Sequence, residues 1–80
     1  MTDSKEIEQK IISIVKIITQ QDDVSAKSNR ENTPEWDSLK HIDLIFALED
    51  EFNVEFESEI IAQLNSIASI ASEIAKKNAS

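Results

Sequence analysis

The sequence predicts an all-α fold: a four-helix bundle of three main helices and one short helix, with a long loop between the first two. Three observations predict it. The 80 residues contain no glycine and one proline, the residues that most often interrupt helices. Apolar side chains recur at three- and four-residue spacing in separate stretches of the chain. Isoleucine, at thirteen residues, favours strands by propensity, but its spacing is that of helix faces.

The first helix is expected from Asp3 to about Gln20. Ile7, Ile11, Ile14, Val15 and Ile18 stand at i, i+4, i+7, i+8 and i+11 and share one face. Glu6, Glu8, Lys10 and Lys16 take the other side, and Ile12 and Ile17 flank the stripe at partly buried positions. A polar stretch follows from Gln21 to Asp37. Its Asp, Ser, Asn and Thr side chains compete for backbone hydrogen bonds, and Pro34 pushes Thr33 out of the helical region. Val24 and Ala26 are its only aliphatic residues, so Trp36 is the expected anchor.

The second helix is expected to start at Asp37 or Ser38, either of which can cap it, and to reach about Phe52. Asn53-Val54-Glu55-Phe56 alternates polar and apolar and reads as a short extended link. One or two turns are expected over Glu59 to Leu64, with Ile60, Ile61 and Leu64 inward. Asn65 or Ser66 should cap the last helix. That helix runs to about Lys77 with Ile67, Ile70, Ala71 and Ile74 on one face, and Lys76 and Lys77 complement its dipole.

Composition removes several function classes. The chain has no cysteine and one histidine, His41, which excludes thiolate metal sites, cysteine nucleophiles and paired imidazoles. The absence of glycine excludes phosphate-cradling loops. No apolar run approaches a membrane span, and Met1 to Glu6 do not resemble a signal peptide. A cytoplasmic monomer is expected. Sixteen acids face eight bases, and ten of the acids lie between Glu31 and Glu59 against one base, Lys40. Nucleic acid and stable membrane insertion are therefore not expected, and partners should carry basic docking patches.

On a helical wheel at ~100° per residue, with Leu39 at zero, Leu44, Ile45, Leu48 and Phe52 form a core arc. Leu39, Ile42 and Phe46 form a second apolar stripe, bordered by Glu49 on one side and by Asp43 and Asp50 on the other. Two readings stay open: a recognition patch with a charged rim, or a wide buried face packed under the long loop. His41 falls within the core arc. Ser38 and His41 point to different faces and lack a third orienting group, so a serine–histidine nucleophile is rejected. Glu49 and Glu51 are not expected to act as glycosidase acids without a cleft. The run from Glu49 to Asn53 lacks the turn glycine and closing ligand of a calcium loop, so no metal site is expected.

Asp37-Ser38-Leu39, with Ile42, Asp43, Leu44, Ala47-Leu48-Glu49-Asp50-Glu51-Phe52 and Val54-Glu55-Phe56, resembles the second helix and following link of acyl carrier proteins. The resemblance implies 4′-phosphopantetheine attached to Ser38, flanked by Asp37 and Leu39, and donated from coenzyme A by a magnesium-dependent phosphopantetheinyl transferase. It implies a carrier of thioester-linked acyl or aminoacyl groups, not an enzyme, presented to acyl-processing enzymes. It also implies partner contacts at Leu39, Ile42, Asp43, Phe46, Ala47, Glu49, Asp50 and Phe56. Ile14, Ile45, Phe52, Ile61 and Ile70 are the expected lining for an acyl chain. Glu35 stands where the family often has glycine, and Lys40 replaces a frequent acid near the phosphate. Trp36 before Asp-Ser-Leu resembles specialised stand-alone carriers of polyketide, aminoacyl or surface-glycan pathways more than the bulk fatty-acid carrier. The competing reading is an unmodified acidic adaptor for one basic protein.

Overall fold

The computed structural model describes residues 4–79. Helix α1 spans Ser4–Thr19, α2 Ser38–Phe52, α3 Ser58–Ile61 and α4 Ile67–Ala79. The described residues form no extended sheet; one isolated antiparallel bridge joins Asn29 to Ser66. The all-helical bundle with its long first loop agrees with the spacing. The expected start at Asp3 lies outside the described residues. Helix α3 is a single turn that ends before Leu64, and α4 extends two residues past Lys77.

Helix α1 packs against both α2 and α4, and this rotates its buried face. Ile7, Ile11, Ile12 and Val15 are in the core and Thr19 is buried, while Ile14 and Ile18 sit at the margin. Ile17 was expected to be half-buried but is 75% exposed. It lies ~120° beyond Ile11 on the side away from Ile12. A face that must meet two helices centres between Val15 and Ile12 and leaves Ile17 outside.

Helix ends in a chain without glycine need other residues in the left-handed region. Gln20 takes it after α1 at φ 58° and Asn53 after α2 at φ 54°. Asn53 is a tolerated choice there, whereas Gln20 carries a cost of about 1 kcal/mol. At α1 the gain is the Gln21 N–H to Lys16 C=O bond at 3.2 Å; at α2 it is Val54 N–H to Glu49 C=O at 3.1 Å. Ser66, not Asn65, caps α4. Its Oγ accepts the Ser69 N–H at 3.0 Å, and the Ser69 Oγ accepts the Ser66 N–H at 3.1 Å. This is a reciprocal capping box.

The loop between α1 and α2 is fastened at several points. Val24, Ser28, Thr33 and Trp36 are buried; Ala26 is exposed. Asn29 and Asn32 exchange reciprocal side-chain to backbone bonds at 2.8 and 2.9 Å. The Arg30 N–H donates to Asn65 C=O at 2.9 Å, and the Ile67 N–H donates to Ser28 C=O at 3.1 Å. The loop is thus stitched to the start of α4.

The ten acids from Glu31 to Glu59 remain crowded around this scaffold. Lys40, the one base among them, forms no ion pair among the described residues. Mutual repulsion in water is screened by salt. Added sodium chloride or magnesium is therefore expected to raise the melting temperature by several degrees, read by circular dichroism. A melting temperature independent of both would show that the acids do not strain the fold.

Candidate functional site: the start of α2 and its exposed stripe

The N-terminus of α2 settles a competition between two capping residues. Asp37 has extended backbone (φ −92°, ψ −174°), and its side chain accepts the Lys40 N–H at 2.9 Å. Its carbonyl accepts the His41 N–H at 2.8 Å. With the cap supplied by Asp37, Ser38 becomes the first helical residue. Its side chain is exposed, and its hydroxyl takes no part in capping. The Ser38 Oγ accepts one hydrogen bond, a long one from Arg30 Nη2 at 3.4 Å.

His41, one turn along, is buried and fully engaged. The Trp36 Nε1–H donates to His41 Nδ1 at 3.0 Å, and His41 Nε2 meets the Ile61 carbonyl at 2.9 Å. A tryptophan N–H can only donate, so Nδ1 accepts and the ring proton sits on Nε2, directed at Ile61. This relay ties the end of the loop, α2 and α3 together. It also leaves His41 no nitrogen with which to deprotonate Ser38. The Ser38 hydroxyl is exposed and has no hydrogen bond to His41.

Beside Ser38 the second apolar stripe lies open. Leu39 is 77%, Phe46 65% and Ile42 51% exposed. Leu44, Ile45 and Leu48 fill the core side, with Phe52 packed at its edge. The stripe is therefore not packed under the loop. Asp43 and Asp50 are exposed at its border, and Ala47 is half-buried. Two of the expected contact residues are placed differently. Glu49 is half-buried, and its Oε2 accepts the Phe56 N–H at 2.8 Å. Phe56 is 7% exposed, with Lys77 Nζ 5.8 Å from its ring centroid. Both hold the link after α2 against the bundle, because the alternation Asn53 to Phe56 turns Phe56 inward. Phe56 offers no open side-chain surface to a partner.

Among the described residues, no three histidine, cysteine, aspartate or glutamate side chains gather as a metal ion would need. No helix among them is long and apolar enough to cross a membrane. Arg30 is a neighbour of Ser38 that the linear sequence did not reveal, since the two lie eight positions apart across irregular loop.

The start of α2 therefore presents an exposed hydroxyl free of capping duty, with a guanidinium beside it. Among curated proteins, none matches the chain. Residues 36–74 match a family model described as a phosphopantetheine attachment site. The match opens at Trp36, takes in the Asp37–Leu39 segment with α2 and α3, and closes at Ile74 within α4. The match over residues 36–74 and the all-helical fold together support the acyl carrier protein family, and the matched segment is the attachment site of covalently bound 4′-phosphopantetheine.

Proposed function

We propose that the Ser38 hydroxyl is the attachment point of the arm. On this reading residues 1–80 act as one carrier unit that shuttles acyl or aminoacyl groups between enzymes. The single observation that carries the assignment is that Asp37 performs the capping, which leaves the Ser38 Oγ exposed and uncommitted at the start of α2. In the attachment reaction the oxygen attacks the phosphorus of coenzyme A that bears the pantetheine. A new P–O bond to Ser38 forms, the P–O bond to 3′,5′-ADP breaks, and the hydroxyl proton leaves with the transferase's base. The attached group supplies a thiol that holds acyl groups as thioesters, a chemistry this cysteine-free chain lacks. Carrier domains of this family are typically non-catalytic, and the engagement of His41 supports a non-enzymatic role here. A coenzyme A-dependent modification favours the cytoplasm as its place of action.

The exposed stripe is the proposed docking surface. Leu39, Ile42 and Phe46 supply apolar anchors, and Asp43 and Asp50 supply a rim that attracts basic patches on the transferase and on acyl-processing enzymes. Glu49 shares its charge between that rim and the Phe56 N–H. Buried Ile45 and Ile70, with Ile14, Phe52 and Ile61 at the margin, are the proposed lining for an acyl chain. Trp36 supports a specialised carrier. It occupies a place often held by a small residue, and its partner His41 makes it structural.

Phe46→Ala is expected to weaken binding of the transferase by about 10- to 30-fold. The same change should move stability by less than about 0.5 kcal/mol, since the ring is already in water. Calorimetric titration and thermal melting of the same sample read the two effects. Equal affinity for both proteins would remove Phe46 from the docking surface. The assignment of Ser38 is tested by incubation with coenzyme A, magnesium and a promiscuous transferase. The expected result is one added phosphopantetheinyl group that peptide mapping places on Ser38; an unmodified mass would favour the adaptor reading.

A further inference from the structure

We propose that Arg30 is a positioning residue for the phosphodiester that joins Ser38 to its arm. The inference rests on the assignment of Ser38. The Arg30 guanidinium already reaches the atom to be modified, with Nη2 3.4 Å from Ser38 Oγ. A phosphodiester on that oxygen brings two anionic oxygens about one covalent bond further out, within reach of the same planar fork. Guanidinium and phosphate oxygens pair by parallel charge-assisted hydrogen bonds.

Two further features single out Arg30. Its main chain is clamped, with its N–H on Asn65 C=O at 2.9 Å, Asn29 bridged to Ser66, and the reciprocal Asn29–Asn32 bonds beside it. The guanidinium is therefore carried by a fixed point near the start of α4 and not by a free loop. Arg30 also forms no ion pair among the described residues, although Glu31 is its neighbour in the chain. Its charge is uncommitted, and the sequence on either side of Ser38 carries Glu31, Glu35, Asp37 and Asp43 against one other base, Lys40. A phosphodiester placed there meets repulsion that this guanidinium offsets. The consequence is an arm whose root leans toward the loop and is not left to rotate freely.

The test compares unmodified and modified protein, in wild type, Arg30→Gln and Arg30→Lys, after intact mass has verified the state of each sample. In the unmodified state Arg30→Gln should melt within a few degrees of wild type, because the side chain makes only the long contact to Ser38. In wild type, loading is expected to raise the melting temperature by about 2–4 °C at low salt. It should also move the Arg30 Nε–H resonance, and the phosphorus-31 resonance should shift between low and high salt. In Arg30→Gln the thermal gain and the salt-dependent phosphorus shift should both be absent, and Arg30→Lys should restore part of the gain. Loaded wild type and loaded Arg30→Gln with the same phosphorus resonance and the same thermal response would overturn the role of Arg30 and leave Ser38 standing. Samples that never gain the arm on Ser38 would overturn both.

Discussion

Ser38→Ala is expected to take up no phosphopantetheine at all, while melting within about 4 °C of wild type. The chemical effect is complete because no other hydroxyl in the matched segment shares the setting of Ser38. The Ser58 side chain is exposed, but the helix it opens is a single turn. Ser66 and Ser69 are committed to each other in the cap of α4. Ser72 is exposed, but it lies in the interior of α4 and not at a helix start. The structural effect is small because the cap of α2 is held by Asp37 and the Ser38 Oγ contributes one long bond at an exposed position. Exposed substitutions of this kind stay within about 0.5 kcal/mol, and a domain of this size shifts by about 4–8 °C per kcal/mol. Intact mass after transferase treatment and a thermal melt check the two halves. A large loss of stability in Ser38→Ala would show that the serine is structural after all.

His41→Ala carries the largest expected effect on stability. Removing the imidazole strips the Trp36 indole N–H of its acceptor and the Ile61 carbonyl of its donor. Orphaned buried polar groups cost about 1–3 kcal/mol each, and a void adds to that. Ile61 is half-buried, and water can partly satisfy its carbonyl. A loss of about 2–4 kcal/mol is expected, out of a total near 4–12 kcal/mol for a chain of this length. The melting temperature should fall by about 10–25 °C. Fluorescence of Trp36, the one tryptophan, should shift to the red as the loop end detaches. His41→Gln can keep a donor toward Ile61 but not the acceptor for Trp36, so it should fall between the two. If His41→Ala melted within a few degrees of wild type, the relay would not be what binds loop, α2 and α3.

Helix α2 and its two apolar faces were legible before any coordinates. A single helix with a capping pair at its start leaves few choices, and period and rotation follow from the spacing of Leu39 to Phe52. Helix α1 was legible in extent but not in rotation. Six isoleucines spread round the helix let the stripe be centred too near Ile14, and only packing against two neighbours decides that Ile12 goes in and Ile17 stays out. Phe56 is buried because the chain turns at Asn53, a long-range placement that the local alternation of the link does not by itself encode.

The loop was the least legible part, for a physical reason. Its hydrogen bonds run between residues far apart in sequence, such as Arg30 to Asn65 and Ser28 to Ile67. No local pattern encodes those pairings. Even so, the only tryptophan and the only histidine stand five residues apart across the start of α2. A buried indole N–H needs an acceptor, and His41 was the candidate within reach. The pairing of Trp36 with His41 is thus a contact of the loop end that residue type and spacing encode.

The central claim is that this chain works through one modified oxygen. Protein isolated from the cells that make it, weighed intact and then mapped by peptide, tests the claim most directly. The account predicts a population heavier by one phosphopantetheinyl group, with or without an acyl group, and every modified peptide bearing it on Ser38. A native population that is uniformly bare, or one modified at a different residue, would contradict it.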